Sequence, residues 1–442
     1  MRKTLIGLFA AVLMSSGAAA EIAAVVIKPT VDVYAEPSFE SPKVSTLKRD
    51  AAVTVTAQQG LWYSLKLAAG ATGYVRVNDL RMKYGSVEEG DANLRALTSG
   101  KAGVGRVTET AGVRGIDESD LKSASFNQAQ FDAMVANRID ASAAATHAGA
   151  QHWEATTVAY ASEAKPRKDK GNAKAESSAS GSETTNMAKN LIGSMSSGLG
   201  SLLGTASKVA PKSEAEQSAE ELALGPQIAG RVLGSRPLWS DAGAQQRVNL
   251  IGRWVASQTS RPELPWTFGV IDSPEINAFA APGGYILVTR GLYEILSTDG
   301  EVAAVLGHEI SHCVQRDHYN VIRKQELATT GKDLAMSEVQ TGTDTAAGLY
   351  ARQYVEKHGA AVMLTALDRE AEYRADEAAE IYVARAGMNP VALYAVLQKM
   401  TAAGKQSASL AQLYKTHPTL DDRMDHIDRR DYKGLKAYTT RE

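Results

Sequence analysis

Between residues 24 and 80, apolar and polar positions alternate in short runs separated by turn formers. That period predicts strands at 24–27, 30–34, 44–47, 53–57, 62–67 and 73–77. Pro37 and Pro42 bracket one loop, Gly60 marks a turn before Trp62, and Gly70 and Gly73 mark another. Strands this short and this closely spaced build a small barrel.

From Gly85 to about Leu222 the pattern loosens. In the alanine-rich run 121–152, Phe131, Met134, Val135 and Ile139 recur at helical spacing and predict one modestly amphipathic helix. Residues 161–190, rich in Ser, Ala, Lys, Glu and Gly, have almost nothing to bury and are expected to be disordered, with Lys165, Arg167, Lys168 and Lys170 as a solvated cluster. In 191–203, Ile192, Met195, Leu199, Leu202 and Leu203 stand among Gly and Ser, a pattern that fits a lid or docking helix and a plain linker equally well.

Helical periodicity returns at 222–234 and 241–257, the second with an apolar stripe of Leu250, Ile251, Trp254 and Val255. Strands follow at 266–271, 278–280 and 285–289, separated by a polar turn at Asp272 to Glu275 and by Pro282-Gly283-Gly284. Helices are then expected at 291–296, at 300–316, at 361–386 with Gly387 ending it, after Pro390 and after Pro418. Helices gathered around a small mixed sheet make an α+β domain.

The ends and the composition narrow the setting. Arg2 and Lys3, the apolar run from Leu5 to Met14, and Ala18-Ala19-Ala20 form a signal-peptide pattern over residues 1–20, so a periplasmic or secreted product without an integral membrane segment is expected after cleavage. Cys313 is the sole cysteine, which excludes an internal disulfide, and its apolar helical surroundings predict a buried thiol. With 48 Lys and Arg against 50 Asp and Glu, nothing marks a nucleic-acid footprint.

Chemistry concentrates in Gly307-His308-Glu309-Ile310-Ser311-His312, a His-Glu-x-x-His pattern inside a predicted helix. Side chains four apart share a helix face, so His308 and His312 can present two imidazoles to one ion, with Glu309 beside them as a general base. Zinc in a catalytic site takes a third protein ligand and keeps one position open. Glu370, Glu372 and Asp376 all qualify by composition, and surface charge pairing would explain the same cluster.

Residues 240–430 resemble the zinc metallopeptidases that include the CAAX prenyl proteases, HtpX and BepA. Four ordered pieces carry the resemblance: Asn277 to Gly284 with Val288 and Gly291-Leu292; Gly307 to His312; Arg369 to Asp376; and Thr416-His417-Pro418 with Arg423. It implies Glu372 as third zinc ligand, Asp376 as acceptor behind a ligand histidine, and His417 near the metal as regulatory ligand or transition-state donor. It also implies that Arg369 and Arg423 organise the site electrostatically. Asn277, Ala278, Phe279, Ala280, Gly283 and Gly284 would belong to a substrate-binding strand system. The chain departs from the family where Asp317 separates Arg316 from His318, which leaves His318 without an assigned role.

Val31-Asp32-Val33-Tyr34, Gly60 to Ser64 and Gly73-Tyr74-Val75 resemble the bacterial SH3-like domain. Such domains hold peptide, peptidoglycan or partner proteins, and Tyr34, Trp62, Tyr63 and Tyr74 are divided between a groove and the core. The expected organisation is a signal peptide (1–20), an SH3-like domain (21–84), a partly helical and partly disordered linker (85–221) and a zincin-like α+β metallopeptidase domain (222–436). The expected function is a one-zinc endopeptidase of the cell envelope acting on misfolded or misassembled protein. The alternatives are a chaperone-like interaction protein with a latent or inactive peptidase domain, and a hydrolase of peptidoglycan cross-bridges.

Overall fold

The computed structural model describes residues 21–67, 70–83, 116–160, 212–330, 345–402, 410–411 and 413–441. The signal-peptide pattern, the 161–190 stretch and the 191–203 segment lie outside these residues. Two compact units are present. No helix among the described residues is long and apolar enough to cross a membrane.

The first unit is one antiparallel sheet of seven strands: β1 (Ile22–Val26), β2 (Thr30–Tyr34), β3 (Lys43–Lys48), β4 (Ala52–Gln59), β5 (Trp62–Lys66), β6 (Thr72–Arg76) and β7 (Leu80–Met82). Their order across the sheet is β3-β2-β6-β5-β4-β1-β7. The alternation that predicts the strands also selects the core, with Ile22, Ala24 and Val26 on β1 and Val31 and Val33 on β2 facing inward. Trp62 and Tyr63 are core residues, whereas Tyr34 and Tyr74 are half-buried. The three-residue β7 is too short to show a period of its own and exists by pairing with β1.

The second unit opens with three helices where one is predicted: α1 (Glu118–Ser123), α2 (Gln128–Ala136) and α3 (Ala141–Ala150). The breaks fall at caps. Asn127 accepts from the Gln130 amide and Asp140 from the Ala143 amide, each with its own backbone extended, and those local bonds compete with helix continuation. Next come α4 (Glu214–Ser235), which starts earlier than predicted because Ser213 and Glu216 form a capping box, and α5 (Ala242–Ala256). The buried stripe of α5 is Val248, Ile251 and Val255, while Leu250 and Trp254 are half-buried.

Strands β8 (Thr267–Ile271), β9 (Ala278–Ala281) and β10 (Tyr285–Thr289) form a sheet ordered β8-β10-β9, parallel between β8 and β10 and antiparallel between β9 and β10. The outer edge of β8 is closed by side-chain amides from α5. Asn249 exchanges two hydrogen bonds with the Phe268 backbone at 3.2 and 2.8 Å, and Gln245 does the same with Val270 at 2.9 and 2.8 Å. That closure leaves β9 as the sheet edge without a strand partner among the described residues.

Helices complete the unit: α6 (Arg290–Ile295), α7 (Asp299–Gln315), α8 (Asp317–Thr330), α9 (Ala346–His358), α10 (Arg369–Arg385), α11 (Ala392–Ala402), α12 (Leu413–Thr416) and α13 (Leu420–Arg430). The single helix predicted over 361–386 is instead a 3-10 turn at Ala361–Leu364 followed by α10. Asp368 ends the gap by accepting from the Ala371 amide at 2.7 Å. Leu121, Met134, Ile228, Phe279, Leu287, Tyr319 and Met363 meet in one core, so residues before 222 help build the sheet's packing.

Candidate active site

Helix α7 starts on a capping box between Thr298 and Glu301 and is buried from Glu301 through Val314. Rigid packing on all sides fixes His308 and His312, whose Nε2 atoms face each other at 3.3 Å with their rings perpendicular. Gly307 brings the facing helix in, since a Cβ there would sit 3.2 Å from the Ala379 Cα on α10. Helix α10 then presents Glu372 and, one turn on, Asp376, both fully buried.

Each ring is held from behind. His308 Nδ1 lies 2.9 Å from Asp376 Oδ1, and His312 Nδ1 lies 2.9 Å from Asp317 Oδ2. Arg423 clamps Asp376 from α13, donating from Nε to Oδ2 at 2.9 Å and from Nη2 to Oδ1 at 2.5 Å. Burial opposes ionisation of Asp376, but the Arg423 charge and the bonds from His308 and Arg423 hold its carboxyl below the ordinary range. Asp376, held ionised, accepts from His308 Nδ1, and in both histidines Nε2 is the nitrogen turned toward the cluster.

Glu372 brings a third group into the cluster. Its oxygens lie 3.5 Å from His308 Nε2 and 3.7 Å from His312 Nε2, and Oε1 is buried without a hydrogen-bond donor. Burial raises the Glu372 carboxyl, yet the His417 charge and the bonds from His308 and His417 bring it well below its usual value. His417, just after α12, contacts Glu372 Oε2 through Nδ1 at 2.5 Å. Donor atoms of His308, Glu372 and His417 all fall within 4.8 Å of one another, a grouping able to hold a divalent cation. The same field draws protons: burial and Arg423 lower His308, but Asp376 and Glu372 outweigh them and raise it to about 9. The orphaned Glu372 oxygen and the facing imidazoles therefore fit a metal ion.

A cleft opens onto this cluster, lined by Ala278, Phe279 and Ala280 of β9, Glu309 and His312, His318, Met363, Thr365 and Leu367, and Glu372, Thr416 and His417. Sequence-predicted residues divide accordingly. His308, Glu309, His312, Glu372, Asp376, His417 and Arg423 converge, and Ala278 to Ala280 reach the cleft wall. Asn277, Gly283 and Gly284 do not line it. The two glycines make the β9–β10 turn with φ of 74° and 92°, and the Gly283 amide donates to buried Glu221 at 3.3 Å. Arg369, expected to organise the site, stands mostly exposed at the start of α10, 4.0 Å from Asp422.

Residues 243–431 match the family model of Peptidase family M48, and residues 29–81 match that of the Bacterial SH3 domain. The chain carries an M48 peptidase domain behind a bacterial SH3-like domain. The resemblance read from the four ordered motifs is thereby borne out. The M48 portion is similar to the Beta-barrel assembly-enhancing protease of Escherichia coli (strain K12), 26% identical over 213 residues, or 46% of this chain and 42% of that protein. It is similar to the Putative beta-barrel assembly-enhancing protease of Vibrio cholerae, 24% identical over 229 residues, 49% of this chain and 46% of that one. It is also similar to the Mitochondrial metalloendopeptidase OMA1 of Arabidopsis thaliana, 29% identical over 157 residues, 35% of this chain and 30% of that one. The chain spans less than half the length of each of these relatives.

Two features of the M48 domain escape the sequence motifs. Asp317 supports His312 because Arg316, with φ of 60°, turns the chain at the end of α7 and swings the next carboxylate back. Arg316 is held in that turn by Glu221, which accepts from its Nε at 2.9 Å and from both terminal nitrogens of Arg261 at 3.0 and 2.7 Å. His318 follows, buried and pushed down to about 4 by burial and then by the charge of His312. Cys313 is the buried thiol expected, raised by burial.

Proposed function

We propose that the protein is a zinc-dependent endopeptidase of the cell envelope, with His308, His312 and Glu372 as metal ligands, Asp376, Asp317 and Arg423 behind them, and Glu309 and His417 as the catalytic side chains. The observation that carries this is the pair of Nε2 atoms facing at 3.3 Å beside an unpartnered Glu372 oxygen, each imidazole pinned by a carboxylate. Two nitrogens and one carboxylate oxygen form the donor set of a catalytic zinc, and zinc bound there would supply a Lewis acid that polarises the scissile carbonyl and acidifies water.

The chain's own residues do the rest. Glu309, on the cleft wall, takes a proton from the attacking water and returns it to the leaving amine. His417 donates to the developing oxyanion, and its contact with Glu372 keeps it within reach. An extended polypeptide laid along β9 would add a strand to the open edge, satisfying its backbone without demanding a particular side-chain sequence.

Relatives named for assembly enhancement and for metalloendopeptidase activity support misfolded or misassembled envelope proteins as substrates. The signal-peptide pattern supports a periplasmic or secreted location. The SH3-like domain, residues 21–84, would hold an envelope protein or peptidoglycan, leaving peptide-bond hydrolysis to residues 222–436. Casein digestion by the purified protein and by Glu309→Gln tests the assignment: cleavage by the first alone supports it, and equal cleavage by both removes Glu309 from the chemistry.

A further inference from the structure

Three imidazoles of the site commit a ring nitrogen to a carboxylate: His308 to Asp376, His312 to Asp317 and His417 to Glu372. His318 is the exception. It stands at the start of α8, is 7% exposed and lines the cleft, yet its Nδ1 is buried with no hydrogen-bond partner among the described residues. The neighbouring Asp317 cannot serve it, because its two oxygens are turned to His312 and Arg374. Most buried polar atoms in folded proteins are paired, so an unpaired ring nitrogen on a cleft-lining residue calls for a partner, and a ligand entering the cleft can supply one.

We infer that His318 is a substrate-binding residue that hydrogen-bonds a backbone amide unit of the bound polypeptide; this rests on the peptidase assignment above. A backbone amide carries one donor and one acceptor, so it satisfies the neutral imidazole in either tautomer. The same cleft is lined by Ala278, Phe279, Ala280, Met363 and Leu367, which offer apolar contact to the side chains of a bound polypeptide. Gripping the main chain while leaving side chains to apolar walls suits an enzyme that takes unfolded polypeptide irrespective of sequence.

The test uses the full-length protein carrying Glu309→Gln, loaded with zinc, and a fluorescein-labelled casein peptide followed by anisotropy. Adding His318→Phe keeps a ring and removes both nitrogens, and should weaken binding about tenfold, the scale of one lost hydrogen bond. Adding His318→Asn, which keeps a donor and an acceptor, should recover most of that loss, with zinc content and melting temperature unchanged in both. Equal binding by parent and His318→Phe overturns the inference. So does equal loss in both variants, which would mean packing, or loss of zinc, which would mean a role at the metal. A zinc-loaded parent that binds no peptide and a Glu309 protein that cleaves none would instead overturn the peptidase assignment and the inference with it.

Discussion

Asp317 holds His312 as Asp376 holds His308: each carboxylate lies 2.9 Å from an imidazole Nδ1. The two carboxylates reach the site by unrelated routes. Asp376 lies one turn beyond Glu372 on the same helix, whereas Asp317 follows the left-handed turn at Arg316. Asp317→Asn should therefore weaken metal binding by about 10- to 100-fold while leaving the fold intact. Competition with a chromophoric chelator measures this, and unchanged affinity would reduce Asp317 to an ion-pair partner of Arg374.

Asp376→Asn should cost more. It weakens the His308 support and also leaves the Arg423 guanidinium buried without its counter-charge. Breaking a buried pair on one side costs about 3–5 kcal/mol, so urea unfolding should detect a loss that Asp317→Asn does not share.

Glu221 anchors the turn that delivers Asp317. It is fully buried and binds Arg261, Arg316 and the Gly283 amide together. Glu221→Ala should destabilise the protein by about 3–5 kcal/mol and also lower metal affinity, because the turn at Arg316 keeps only its contacts to Glu214 and Ser218. A stability loss with unchanged affinity would show that Asp317 is placed by other means.

Glu380 makes stability depend on pH. Burial pushes its carboxyl from 4.5 to about 8, against the opposing charge of Arg430. Between those values the folded chain keeps a proton that the unfolded chain has released, so this contribution to stability falls as pH rises. Glu380→Gln removes it. The stability of Glu380→Gln relative to the parent should grow from pH 4.5 to pH 8, and a constant difference would place Glu380 outside this range.

The strands and the helix of the His-Glu-x-x-His motif are legible in the sequence because period and burial coincide there. The alternation on β1 and β2 is the core pattern, and His308 and His312 carry their chemistry within one helix turn. Asp317 is not legible, since its role depends on a positive φ at an arginine, a conformation that side-chain identity does not announce. The breaks at Asn127, Asp140 and Asp368 are written in cap residues, but the alanine-rich or apolar stretches around them read as continuous helix. Arg369 and Arg423 look alike as cations near a motif. Only the packing of α13 against α10 buries one on Asp376 and leaves the other at the surface.

The central claim is that His308, His312 and Glu372 hold one catalytic zinc, and the most direct test is metal content measured together with casein cleavage. The purified protein should contain about one zinc per chain, lose cleavage with the metal on dialysis against a chelator and regain both on adding zinc, while Glu372→Gln should retain neither. Cleavage that persists in the metal-free protein, or a full zinc complement in Glu372→Gln, would contradict the account.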